Sequence, residues 1–177
     1  MEADALLFTR QMVEYEVGIP YYGYGGGFTT DNYIVQSGEM CELGLAGSSY
    51  FYDEDLMSED ALAIAADFVA TTDYTTVIEP FANGYLGMYC LLEGIANAGA
   101  VNDKEAIADQ LDILDIKPGH RALLFHPTLE GVKYVDDNGR YNQNLYAGQV
   151  YGQIHDGAYK LVFPATDATA PFVWTGK

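Results

Sequence analysis

Basic residues are scarce in this chain: Lys and Arg number 8 against 26 Asp and Glu, a formal charge of −18 over 177 residues. A field of that sign repels phosphate backbones and anionic lipid headgroups, so no nucleic-acid partner and no membrane insertion are expected. Cysteine occurs only at Cys41 and Cys90. Two thiols without metal-ligand spacing make neither a disulfide scaffold nor a metal cluster, and both are expected as buried free thiols. No stretch approaches the roughly 18 consecutive apolar residues of a membrane span. Met1-Glu2-Ala3-Asp4 is neither basic nor apolar enough to begin a signal peptide. These absences lead to the expectation of a soluble chain with no targeting segment of its own.

Catalytic signatures are missing as well. There is no Gly-x-Ser-x-Gly elbow, P-loop, His-Glu-x-x-His or Cys-x-x-Cys. His120, His126 and His155 fall on loop or hairpin positions, where turn and capping roles are the expectation. Asp53-Glu54-Asp55 with Glu59 and Asp60 lacks the spaced ligands and central glycine of a calcium loop and reads as a solvated helix entrance. The chain is expected not to be an enzyme and to carry no cofactor and no metal. A small acidic hydrolase working through a carboxylate pair has no motif behind it.

What is present points to a folded domain. Hydrophobic residues make up 49% and charged residues 19%, a globular composition, and the length predicts a single domain over 1–177. The most distinctive stretch is Tyr21–Asp31, where Gly25, Gly26 and Gly27 are flanked by Tyr22, Tyr24 and Phe28. Consecutive glycines admit positive φ and close approach to main-chain N–H groups, and the aromatic side chains offer apolar faces. The same residues also suit a flexible connection whose tyrosines cover a core edge. The Gly-x-Gly-x-x-Gly dinucleotide pattern is not met.

Along the chain, Asp4 is expected to cap a helix through Tyr15 that Gly18 stops, and Ile19–Tyr22 reads as a short buried strand delivering the glycine-rich loop. Thr30 or Asp31 caps a short helix to about Gly38. Leu43–Tyr52 predicts a second strand, with Tyr50-Phe51-Tyr52 as pocket walls or core. Ser58 opens a helix over Ala61–Ala70. Glu79–Ala98, apolar almost all round, predicts a helix buried on more than one side, with Gly99 as its C-cap. Asn102 or Asp103 caps an amphipathic helix through Leu114. Ala122–Phe125, Gly131–Val135, Leu145–Ile154 and Tyr159–Phe163 read as β-segments, with hairpin turns at Asn138-Gly139 and Asp156-Gly157. The tail after Pro164 is expected to pack back through Phe172 and Trp174.

With these residues in view, the chain resembles the second half of ABC-importer solute-binding proteins of the branched-chain amino acid (Leu/Ile/Val) type. The likeness rests on Ala5-Leu6-Leu7-Phe8 with Arg10-Gln11-Met12, Ile19-Pro20, and Gly23-Tyr24-Gly25-Gly26-Gly27-Phe28. Collinear with these are Gly84-Tyr85, Leu91–Gly99, Gly131-Val132-Lys133-Tyr134, Asp137-Asn138-Gly139, Asn142-Gln143-Asn144 and Gln153-Ile154-His155-Asp156-Gly157, with Tyr159 and Pro164. The resemblance implies an α/β fold: part of a type I periplasmic-binding-protein lobe, helices layered on a mainly parallel sheet with a late antiparallel hairpin. It implies an extracytoplasmic binder that holds a small solute (an amino acid, aromatic acid or amide) and passes it to an ABC permease. Its ligand-binding residues would be Tyr24, Gly25, Gly26, Gly27 and Phe28. The family's Leu/Ile/Val members carry a glutamate where Gly25 stands, so a plain α-amino acid is a poor match. The resemblance also places the family's first lobe ahead of Met1, which makes the chain half of such a binder. The Glu79–Ala98 and Asp103–Leu114 helices would then expose apolar faces, and a homo-oligomer or a separate N-terminal half would cover them. The alternative is a self-associating scaffold that binds no ligand.

Overall fold

A computed structural model describes residues 2–137 and 140–175. They divide into two compact units, one comprising Met1–Leu56, Ala63–Glu79 and Gln149–Lys177, the other Met57–Leu62 and Pro80–Gly148.

The first unit opens with α1 (Glu2–Glu14), followed by β1 (Tyr22–Tyr24), α2 (Asp31–Ser37) and β2 (Leu45–Ser48). Its sheet is completed by β6 (Val150–His155) and β7 (Ala158–Phe163), in the order β1-β2-β6-β7. The β1–β2 pairing is parallel, and β2–β6 and β6–β7 are antiparallel. Thr30 caps α2, its hydroxyl accepting from the Tyr33 N–H at 3.1 Å. Ala5, Tyr33, Cys41, Ala46, Phe51, Val150, Ile154, Tyr159 and Leu161 form the core, with Leu6, Phe28, Ile34 and Leu56 packed against it. At the β6–β7 hairpin Asp156 and Gly157 both take positive φ. The Glu42 carboxylate accepts from both their N–H groups, at 2.9 and 3.2 Å.

α3 (Glu59–Thr71) begins after Ser58, whose hydroxyl accepts from the Ala61 N–H. The second unit holds α4, whose full span is Glu79–Ala98, with α5 (Lys104–Asp112) and a sheet of β3 (Asp115–Ile116), β4 (Val132–Asp137) and β5 (Arg140–Asn144) in that order. Gly94 lets α5 approach α4, since a Cβ there would lie 2.9 Å from the Leu111 side chain. Asp103 caps α5 through the Ala106 N–H at 3.0 Å. Cys90, Leu114, Ile116, Ala122, Leu123 and Val132 form this unit's core. Both cysteines are buried and free.

Several expectations are corrected. α1 starts at Glu2, so Asp4 lies in its first turn rather than at the cap. Ile19 is 69% exposed and outside the strand: Pro20 has no N–H to give a ladder, and β1 starts only at Tyr22. Ala122–Phe125 is not a strand. Its apolar residues are buried through a short 3-10 turn at Arg121–Leu123, capped by His120 Nδ1 accepting from the Ala122 N–H at 3.1 Å. Within Leu145–Ile154 only the end from Val150 is strand; Asn144 Oδ1 accepts from the N–H groups of Lys133 and Tyr146 and turns the chain first. The short strands β3 and β5 carry no clear signal in the sequence. The tail does return to the sheet, but through its backbone. Gln153 Nε2 donates to the Val173 carbonyl and Gln153 Oε1 accepts from the Val173 N–H, both at 2.8 Å, while Phe172 and Trp174 stay exposed. The Asn138-Gly139 turn lies outside the described residues. No helix among the described residues is long and apolar enough to cross a membrane.

Asp53 is the other correction. It is 2% exposed rather than solvated, and its carboxylate accepts from Lys160 Nζ at 3.0 Å, from the Leu161 N–H at 3.2 Å and from the Thr169 hydroxyl. Burial alone would raise its pKa, but the bonds from Thr169, Lys160 and Leu161 outweigh that and hold it below the ordinary 3.8. A carboxyl with a depressed folded pKa contributes stability above its unfolded value and loses it as pH falls through the folded one. Asp53→Asn is therefore expected to lower unfolding free energy at neutral pH by about 1.5–3 kcal/mol. The gap to the parent should close below about pH 4, as urea melts across pH would read.

Candidate functional site

The glycine-rich stretch continues directly from β1. Gly25 takes φ 77°, and its carbonyl accepts from the Phe28 N–H at 3.1 Å and from the Thr29 hydroxyl at 3.4 Å, closing a tight turn. Nothing lies within 4 Å of where a Cβ would stand on Gly25 or Gly26, so their main chain is open to an approaching molecule. Tyr24 is 62% exposed at the strand end, whereas Gly27 is buried.

Phe28 turns inward. Its ring packs with Tyr33 at 5.5 Å, Phe8 at 6.2 Å and Tyr21 at 6.3 Å. Its carbonyl accepts from the Tyr159 hydroxyl, which ties the turn to β7. Beneath the ring, the Thr9 hydroxyl lies 2.7 Å from that of Tyr33 and 3.2 Å from that of Tyr21. Burial pushes the Tyr33 phenol well above its ordinary value, so it stays neutral.

Just beyond the turn, from Thr29 onward, the first unit contains a cavity of about 380 Å³, within the size range of small-molecule sites. Tyr50, Phe51, Tyr52 and Tyr159 supply aromatic surface, and Ile34 and Val77 aliphatic surface. Tyr50-Phe51-Tyr52 thus serves as both of the roles its sequence suggested: Tyr50 and Phe51 are buried, and all three line the cavity. Asp31 stands at its rim, its carboxylate accepting from the Thr75 hydroxyl at 2.6 Å and from the N–H groups of Thr75 and Asn32, both at 2.9 Å. Burial would raise the Asp31 pKa; the bonds from Thr75 and Asn32 outweigh it and keep the group ionised. Glu79 accepts from the Ser49 hydroxyl at 2.7 Å. Lys160 is held between Asp53 and Asp55, at 3.0 and 2.7 Å.

The sequence marked the turn and the aromatic run, but not that Asp31, Thr75 and Lys160 line one cavity with the aromatic run, while Tyr24, Gly25, Gly26, Gly27 and Phe28 lie outside that lining. The only sequence signal for Asp31 was helix capping, which Thr30 in fact performs. Two of the histidines serve local structure. His120 caps a turn and pairs with Glu93 at 3.2 Å, and His155 bonds Gln153 at 3.2 Å. Among the described residues no group of three His, Cys, Asp or Glu is placed to hold a metal ion.

No family model and no curated protein sequence matches the chain. Solved structures do. A leucine-binding protein from Thermotoga maritima superimposes with a TM-score of 0.61 at 20% identity, over 90% of this chain and 41% of its own. The chain carries part of the type I periplasmic-binding-protein fold. A Bordetella pertussis protein described by that fold name gives a TM-score of 0.60 at 16% identity, over 91% of this chain and 43% of its own. An ABC-transporter solute-binding protein from Rhodopseudomonas palustris, solved with benzoate, gives 0.62 at 16% identity, over 96% and 41%. The chain thus spans less than half the length of these type I periplasmic-binding neighbours.

The placement of the two aromatic residues of the turn separates exposed surface from support. Phe28→Ala should cost about 2–3 kcal/mol of unfolding free energy, somewhat less than a fully buried ring. Tyr24→Ala should change it by no more than about 0.5 kcal/mol. Chemical denaturation of both variants reads the difference.

Proposed function

We propose that the chain is the solute-binding portion of an ABC importer, working outside the cytoplasm and without catalysis. On this reading the open main chain of Gly25 and Gly26, the exposed Tyr24 ring and the adjoining cavity receive a small solute. Gly27 and Phe28 hold the turn in shape, and an ABC permease accepts the solute. The observation that carries the reading is a part-aromatic cavity that begins at Thr29, next in sequence to the turn at the end of β1, on a fold whose solved neighbours include solute-binding proteins. In α/β sheets such strand ends are where ligands bind.

A thermal-shift screen against amino acids, aromatic acids, amides and amines tests this. A ligand that prefers the folded chain raises the midpoint in proportion to the logarithm of its concentration above Kd. Tyr24→Ala should then weaken the hit by about tenfold, the loss of one aromatic contact. Absence of any concentration-dependent shift from folded protein contradicts the proposal.

One observation favours the second reading, a self-associating scaffold. Met88, Leu91 and Leu92 lie exposed on α4, Met88 by 57%, at helical spacing and with no charge among them. If that face joins copies, light scattering will give a mass above the 19.4 kDa of one chain, and Leu91→Glu will return it to that value.

A further inference from the structure

We infer that the cavity beyond the Gly25–Phe28 turn selects a small organic cation, an amine with an apolar body and no carboxylate; this rests on the solute-binding reading above. The cavity's charge is one-sided. Asp31, Asp53, Glu54, Asp55 and Glu79 line it against Lys160, the one Lys or Arg in the lining among the described residues. Lys160 is already engaged by Asp53 and Asp55, at 3.0 and 2.7 Å, so its charge is matched before any solute arrives. A carboxylate solute would meet uncompensated like charge, which costs binding free energy in a partly desolvated site.

Asp31 supplies the complementary half. Its donors, the Thr75 hydroxyl and the N–H groups of Thr75 and Asn32, are all neutral. They orient the carboxylate without cancelling its charge. Glu79, bonded to the neutral Ser49 hydroxyl, is in the same state. Tyr50, Phe51 and Tyr52 add aromatic surface, which attracts ammonium groups at the ring face and takes an apolar body equally well. The acids alone would describe only a charged surface. Their grouping with aromatic surface around one cavity of about 380 Å³ is what defines a ligand of this class.

Isothermal titration of the full chain with phenethylamine, hydrocinnamate, benzoate and leucine tests the selectivity. The amine and hydrocinnamate share an aromatic body and differ in the sign of the charged group. Phenethylamine should bind at least about tenfold more tightly than hydrocinnamate, and added salt should weaken it. Asp31→Asn and Glu79→Gln should each weaken the amine by about tenfold, with the unliganded melting midpoint reporting whether each variant is folded. Should Asp31→Asn fail to fold, Glu79→Gln and the comparison on the parent chain decide. Hydrocinnamate binding as tightly as the amine, or amine binding indifferent to Glu79→Gln, overturns the inference. Binding of benzoate or leucine without the amine overturns it while leaving the solute-binding reading standing. No binding by any probe overturns both.

Discussion

The buried Asp53 carboxylate is the constraint on which the first unit depends. A charge at that depth is tolerable only when its oxygens are satisfied. Satisfying them brings together the loop after β2, the strand β7 through Lys160 and Leu161, and the tail through Thr169. Thr169 also returns its N–H to the Leu161 carbonyl at 2.8 Å, so the tail covers the outer edge of β7. With Asp53 fixed, Tyr50-Phe51-Tyr52 is carried against β7. There the Phe51 and Tyr159 rings pack at a tilt, 4.6 Å apart, and Tyr159 reaches on to the Phe28 carbonyl. A line of contacts therefore runs from the buried charge to the glycine turn. Of that line, Tyr50, Phe51, Tyr52, Asp53 and Tyr159 also border the cavity.

This linkage also explains what was legible in the sequence. Elements whose signals are local came through: the Thr30 cap of α2, the full span of α4, Gly99 at its end, the Asp103 cap of α5 and the Asp156-Gly157 turn. The glycine turn was legible because three consecutive glycines between aromatics carry their own conformational meaning. What failed to show is long-range. Asp53 meets Leu161 and Thr169 across 108 and 116 residues, and from its neighbours Glu54 and Asp55 alone it reads as one more solvated acid. β3 has two residues and β5 is polar, so neither carries a hydrophobic period. The inward packing of Phe28 carries no local sign, because its partners Phe8, Tyr21 and Tyr33 are spread over several elements.

The turn and the cavity differ in what they present. At the turn, main-chain groups of Gly25 and Gly26 lie open beside Tyr24, with no side-chain charge of their own. In the cavity, carboxylates oriented by neutral donors face aromatic rings. Such a division suits a molecule with one charged end and one apolar end.

Amide chemical-shift mapping on labelled protein, with a binding solute titrated in, tests the central claim that the glycine turn and the cavity form one binding site. The account predicts that shifts concentrate at Tyr24–Asp31, Tyr50–Asp55 and Thr75–Glu79 and saturate together with a single affinity. Shifts confined to the exposed face of α4, or turn and cavity saturating at different concentrations, would contradict it.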